Sequence, residues 1–308
     1  MSLSRRHCLL AFPSALLLRG QSQKRFRLAI CSETFAGADF AGICKSARRS
    51  GFSGLEVDPA NLGEDPAALS ADRRKEVRAM LSDAGLIYVG MHSFLKTPKG
   101  MHLTTPDNAT RQRTLDYFAR LLDLSADLGS NSVMVLGSSK QRSAVAESSV
   151  ADATARLEEG LGRLSLLAAQ REVTILLEPL SPQFTNVVNT LAASRSIVER
   201  IGSRGLATMF DTHNTTAETE PASVLIAKHL KQIRHVHLNE MDGRYPGSGN
   251  YLFRELLQAL RDNEYKGWLS VELFDFQPDG ETVASKSAAH IRELERTLDA
   301  ETHLRKSK

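Results

Sequence analysis

Eight short apolar runs, each followed by a longer stretch with helical periodicity, constrain this chain more than any other feature. The strand-like runs are 26–31 (FRLAIC), 54–57 (GLEV), 86–91 (LIYVGM), 132–136 (SVMVL), 173–177 (VTILL), 206–210 (LATMF), 234–238 (RHVHL) and 268–273 (WLSVEL). Helical stretches cover 40–50, 71–84, 107–128, 150–170, 190–201, 221–229, 253–262 and 284–298. The spacing, roughly thirty to forty-five residues, is that of a βα unit. Most of the runs are continuously apolar, as strands are when both faces of a sheet are covered. The expected fold is a single (β/α)8 barrel. A doubly wound open sheet would need a glycine-rich phosphate loop after the first strand, and Cys31-Ser32-Glu33-Thr34 is not one.

The chain has 308 residues, 42% hydrophobic and 24% charged, enough for one large core. The barrel is expected over 25–300, with a charged tail over 301–308. Much of the formal charge of +3 sits at the ends, in Arg5, Arg6, Arg19, Lys24, Arg25 and Arg27 and again in Arg305, Lys306 and Lys308. No basic face follows from that distribution, so nucleic acid is not an expected partner. Residues 1–24 read as a twin-arginine export signal: Arg5 and Arg6 precede an apolar run that ends near Leu18. That run is too short to span a bilayer, so the expectation is a periplasmic protein with no stable membrane span. The competing reading is a basic terminus on a cytoplasmic protein. Cys8 would leave with the signal. Cys31 and Cys44 match neither a zinc knuckle nor a redox pair, though they could join in an oxidising compartment.

In a barrel of this kind the chemistry sits where strands end and βα loops begin. Those positions hold Glu56, His92, Glu178, Asp211, His237 and Glu272. Buried charge without a partner is costly, so strand ends this rich in ionisable groups need a reason. Glu178, Asp211, His237 and Glu272 fall on four consecutive strands and can converge on one point. Three carboxylates and one imidazole suit Mn²⁺, Co²⁺ or Mg²⁺; Zn²⁺ also fits, although it usually takes more imidazole or thiolate. Strand alternation places His235 and His237 on one face, and the loop behind them carries Glu240, Asp242, Arg244 and a Pro-Gly turn. The loop 92–106 is long enough to fold over the site as a lid. Trp268 reads as core, His102 as loop packing, and Lys99, Lys140 and Arg142 as solvated loop charges.

The motifs Leu-Leu-Glu178-Pro-Leu, Phe-Asp211-Thr-His213, His235-Val-His237 with Arg244-Tyr-Pro-Gly-Ser-Gly, and Ser-Val-Glu272-Leu carry a resemblance. The chain resembles the xylose-isomerase-like barrels, and within them the ketose 3-epimerases of the tagatose and psicose type. The resemblance implies that Glu178, Asp211, His237 and Glu272 hold one divalent metal, with Glu178 and Glu272 also serving as the acid/base pair on opposite faces of a sugar. It further implies that His213 and Arg244 hold substrate oxygens, and that His92 and Glu56 line the pocket. The family's further sugar-holding glutamate is replaced here by Phe184, which favours a larger or modified substrate. Glu56 as a structural carboxylate tied to an arginine is the competing reading for that residue. The expected activity is inversion of a centre next to a carbonyl through an enediolate. The alternatives are a lyase or dehydratase acting on keto-sugars or 3-keto-glycosides, and an exported carbohydrate-binding protein without catalysis. A three-zinc apurinic endonuclease would need more strand-end histidines and a basic surface. Related barrels are often dimers or tetramers, so a homo-oligomer is expected by analogy.

Overall fold

The structure, a computed structural model, describes residues 25–306; the export signal expected over 1–24 lies outside the described residues. The strands are β1 (Arg27–Cys31), β2 (Gly54–Val57), β3 (Ile87–His92), β4 (Val133–Leu136), β5 (Thr174–Leu177), β6 (Leu206–Asp211), β7 (Ile233–Leu238) and β8 (Trp268–Val271). Between and after them run α1 (Phe40–Arg49), α2 (Ala71–Asp83), α3 (Asn108–Leu128), α4 (Ser139–Arg142), α5 (Val150–Gln170), α6 (Leu191–Ile201), α7 (Ala222–His229), α8 (Phe253–Asp262) and α9 (Gly280–Lys306). The strands close in sequence order into a parallel barrel, with β8 returning to β1 through Arg27 opposite Trp268 and Ile30 opposite Val271. The expected (β/α)8 architecture is what the chain adopts.

Local chemistry starts the helices where the sequence says it should. Asp107 accepts the Thr110 N–H at 2.9 Å ahead of α3, Ser149 the Asp152 N–H at 3.0 Å ahead of α5, and Thr190 the Ala193 N–H at 3.1 Å ahead of α6. Each satisfies a main-chain donor that the first helical turn leaves without a partner. The last helix differs from expectation at both ends. Asp279 caps it by accepting the Thr282 N–H at 2.9 Å, so it starts before 284. It then continues to Lys306 through most of the expected charged tail. Its buried Glu295 accepts the Phe26 N–H at 2.6 Å, and Leu298 is buried in the core, which ties the helix back to the start of β1.

Inside the barrel, the period of two divides each strand between chemistry and packing. Ala207 and Met209 share the face of Asp211, Leu176 shares that of Glu178, and Trp268 shares that of Glu272; all four apolar residues belong to one buried cluster that also takes in Ala29, Val89, Val133 and Val135. The second, larger core lies between the strands and the surrounding helices. Trp268 is buried beneath the Arg27 guanidinium, 3.9 Å from the ring centroid, which bears out its core reading. Among the described residues no helix is long and apolar enough to cross a membrane.

One irregularity re-aims β2 against β3. Leu55 faces Tyr88, but Glu56 faces Gly90, so Val89 is the extra residue of a bulge. Gly90 has φ +156, and a Cβ there would stand 1.9 Å from the Val133 carbonyl oxygen on β4. The Gly90→Ala variant is therefore expected to lose about 2–4 kcal/mol of stability and to show a lower calorimetric melting midpoint; an unchanged midpoint would contradict the close approach of β3 and β4.

Candidate active site

The C-terminal ends of β5 to β8 bring one ligand atom each from Glu178, Asp211, His237 and Glu272 within 4.8 Å of one another, all four residues buried. Glu178 follows β5, Asp211 ends β6, His237 is on β7 and Glu272 follows β8. Their convergence has an electrostatic consequence. Burial pushes the Glu178 carboxyl well above the ordinary range, and the charges of Glu272 and Asp211 push it further. Asp211 is raised as well, by burial and then by Glu272. Glu272 goes the other way: burial opposes ionisation, but His237 and His92 together hold it lowered. Asn214 Nδ2 donates to Asp211 Oδ2 at 2.5 Å and lies 3.4 Å from Glu178 Oε1, bridging the two crowded carboxylates.

A divalent cation fits this donor set. The three carboxylates outnumber the histidine that faces all of them, and a double positive charge among them removes the repulsion that raises Glu178 and Asp211. Hard oxygen donors with a single imidazole are the chemistry of Mn²⁺, Mg²⁺ or Co²⁺ more than of a thiolate-seeking ion. Cys31 completes two other groups of nearby donors, with Glu33 and His92 and with Glu56 and His237. Those are already satisfied by hydrogen bonds: His92 Nε2 lies 2.9 Å from Glu33 Oε2, and Glu56 is shared between two histidines.

Behind the cluster lies Glu56, and here the structure corrects both readings of it. It is fully buried, is not among the residues that wall the cavity above the cluster, and among the described residues pairs with two histidines and no arginine. Its carboxylate takes His235 Nε2 at 2.8 Å and His237 Nε2 at 3.1 Å. Burial opposes its ionisation, but His237 and then His235 hold its pKa well below the ordinary carboxylate range. An ionised Glu56 can only accept, so His237 donates to it from Nε2 and its Nδ1 faces the cluster, 3.0 Å from Glu272 Oε2; burial opposes protonation of the ring, but Glu56 and Glu272 hold its pKa well above the ordinary imidazole range.

His92 does line the cavity above the cluster, as expected, and its Nδ1 lies 3.2 Å from Glu272 Oε1. That cavity, about 110 Å³, is walled by Glu178, Glu272, Asn214, Phe184, Phe274 and the β3–α3 loop residues Ser93 and Lys96. His213 is buried between the rings of Phe184 and Phe274, with centroids 5.6 and 4.9 Å away, and its main-chain N–H donates to Asp211 Oδ1. Arg244 is placed elsewhere. Its side chain is half-exposed, bonded to Asp242 at 2.8 Å, and lines a separate cavity of about 610 Å³ bounded by α7, α8 and the β7–α8 loop. Glu240, from the same loop, is a buried staple that accepts the N–H groups of Gly247 and Tyr251 at 3.0 and 2.9 Å.

Three residues that the strand-end pattern did not single out complete the site. Asn214 was signalled only by its place three residues after Asp211. Gly137 leaves room for a carboxylate, since a Cβ there would stand 2.3 Å from Glu178 Oε2. Arg142, expected as a solvated charge, is fully buried and donates to three main-chain carbonyls. No local pattern distinguishes it from its exposed neighbour Lys140. His102 is half-buried in its loop, where its Nδ1 accepts the Thr105 N–H at 3.1 Å. Cys31 and Cys44 are both buried and free.

Comparison with known proteins agrees with the fold and narrows it. The D-psicose 3-epimerase of Enterocloster bolteae is 25% identical over 253 residues, 81% of each chain. The fructoselysine 3-epimerase of Escherichia coli O157:H7 is 24% identical over 242 residues, 74% of this chain and 83% of its own. Among solved structures, 3-keto-D-glucoside 4-epimerase from E. coli superposes with a TM-score of 0.76 at 19% identity, over 87% of this chain and all of its own. An L-ribulose 3-epimerase superposes with a TM-score of 0.78 at 21% identity, over 91% of this chain and 98% of its own. The sequence profile of the xylose isomerase-like TIM barrel matches residues 44–294, most of the barrel and every member of the four-residue cluster, and the chain belongs to that family.

Proposed function

We propose that this chain is a divalent-metal-dependent sugar epimerase that inverts a carbon next to a carbonyl. The observation that carries the proposal is the cluster itself: Glu178, Asp211, His237 and Glu272 offer four donor atoms at one point, and two of the four, Glu178 and Glu272, also form the wall of the cavity above it. Those four residues would hold the metal, which supplies positive charge to a sugar carbonyl and its neighbouring hydroxyl and so acidifies the C–H bond between them. Glu178 and Glu272 then act as the proton-transfer pair. One removes the proton, leaving a planar enediolate; the other returns a proton to the opposite face, and the centre is inverted. Glu56 keeps His237 turned toward the cluster, and Asn214 holds Asp211 in place.

The mouth of the cavity supports a substrate larger than a free ketose. Phe184 and Phe274 are 40% and 54% exposed there, unusual for side chains of this kind. They present apolar faces where a small polyol would need hydrogen-bond partners. The relatives that act on fructoselysine and on a 3-keto-glucoside have substrates of this extended kind. A ketose carrying a second ring or chain, with that appendage against Phe184 and Phe274, is the proposed substrate class. A lyase acting on the same keto-glycosides would use the same two carboxylates but release the appendage. The paired Arg5 and Arg6 carry the further proposal that the enzyme is exported.

Metal content by inductively coupled plasma mass spectrometry is expected to give about one Mn, Co, Mg or Zn per chain, and Asp211→Asn is expected to lose it. If neither protein holds metal after reconstitution, the epimerase reading falls, and a sugar-binding protein without catalysis replaces it. For the proton-transfer role, Glu272→Gln is expected to fold normally and to lower turnover by about 10²–10⁴-fold. Deuterium uptake next to the carbonyl, followed by NMR on D-psicose, fructoselysine and a 3-keto-glucoside, measures it. Wild-type rates in Glu272→Gln would remove that residue from the mechanism; release of the appendage without epimerisation would identify the lyase.

A further inference from the structure

Among the described residues Arg142 is the largest side chain with no exposure at all, and it sits at the end of a one-turn helix in the β4–α5 connection. Among the described residues it forms no ion pair. Each of its three nitrogens instead donates to a main-chain carbonyl: Nε to Gly137 at 3.1 Å, Nη2 to Glu178 at 2.6 Å and Nη1 to Val187 at 2.9 Å. A buried cation without a carboxylate against it is costly, and packing alone gives no reason to keep one. Burial pushes its pKa down to about 10, while the charge of Glu178 works to hold it up.

The three carbonyls belong to three parts of the site. Gly137 is the residue whose missing side chain opens the slot for Glu178 Oε2. Glu178 supplies the carboxylate that enters that slot. Val187 closes the loop that carries Phe184, and its neighbour Val188 accepts the Leu180 N–H at 3.1 Å to fold that loop back on itself. A planar fork with five donors can span three carbonyls in fixed directions, which a lysine ammonium cannot do.

We infer that Arg142 is a positioning residue: it fixes the Gly137 slot, the Glu178 main chain and the Phe184 loop relative to one another, and so sets where the Glu178 carboxylate meets the metal. The inference rests on Glu178 being a metal ligand. It does not require Arg142 to touch substrate or ion, because the guanidinium acts through main chain alone.

The test is Mn²⁺ affinity of the full chain, measured by titration calorimetry alongside the melting midpoint of the metal-free protein. Arg142→Ala is expected to bind Mn²⁺ roughly 10–100-fold more weakly, the range for losing a group that orients a ligand. Ethylguanidinium at millimolar concentration should fill the deleted volume and restore the affinity. Arg142→Lys, which keeps the charge but not the fork, should also bind weakly, and it decides the matter if the alanine variant does not fold. Wild-type affinity in the folded variant, or a loss that ethylguanidinium does not reverse, overturns the inference. Glu178→Gln separates the two levels. If wild type binds Mn²⁺ and Glu178→Gln does not, an unaffected Arg142 variant removes only the positioning role. If wild type binds no Mn²⁺, the metal reading falls and this inference with it.

Discussion

The mutual repulsion of three buried carboxylates governs the upper half of this barrel. Glu178, Asp211 and Glu272 converge because β5, β6 and β8 each end in an acid and because the strands close in sequence order with β7 between them. In a low-dielectric interior such crowding is unfavourable unless hydrogen bonds, imidazoles or a cation offset it. Much of the surrounding structure does so. His237 and His92 reach Glu272, Asn214 reaches Asp211 and Glu178, and the Arg142 charge works in favour of an ionised Glu178. Of the three acids, Glu272 alone is held ionised by its neighbours, and the two left raised are those that Asn214 bridges.

That arrangement depends on a second layer behind the four donor residues. Glu56 is bonded to both β7 histidines and, by taking the Nε2 side of His237, leaves Nδ1 facing the cluster. Breaking a buried pair of this sort typically costs about 3–5 kcal/mol, so the fold and the site share the same interaction. Gly137 and Arg142 do for Glu178 what Glu56 does for His237: one leaves space and the other holds main chain. Beneath this layer the same inward faces turn apolar, and Met209, Leu176 and Trp268 fill the barrel. The period-two register thus delivers packing and chemistry from the same strands.

Around the mouth, two exposed aromatic side chains line the cavity. Phe184 and Phe274 flank His213, each ring tilted against the imidazole, and Arg244 turns to a different cavity with Asp242. The donor cluster thus lies at the floor of the cavity, and the apolar rings of Phe184 and Phe274 form part of its wall. Loops carried on a rigid barrel are where such walls are built.

The sequence by itself determined the barrel and the cluster. Both are written in one-dimensional period: strand runs spaced by helices, and an ionisable residue at the end of each of four successive strands, which closure in sequence order then brings together. Even helix starts were legible, because Asp107, Ser149 and Thr190 act on donors within three residues. Tertiary structure alone decided what depended on long-range partners. Glu56 reads as pocket lining or as a structural carboxylate tied to an arginine until β7 comes round the barrel to meet it with two histidines, 179 and 181 residues away in sequence. Arg142 looks like Lys140 until the carbonyls of Glu178 and Val187 close around it, and Arg244 looks like a substrate ligand until its loop turns it to the other cavity. A side chain's type fixes what it can bond; only the fold fixes what stands within reach.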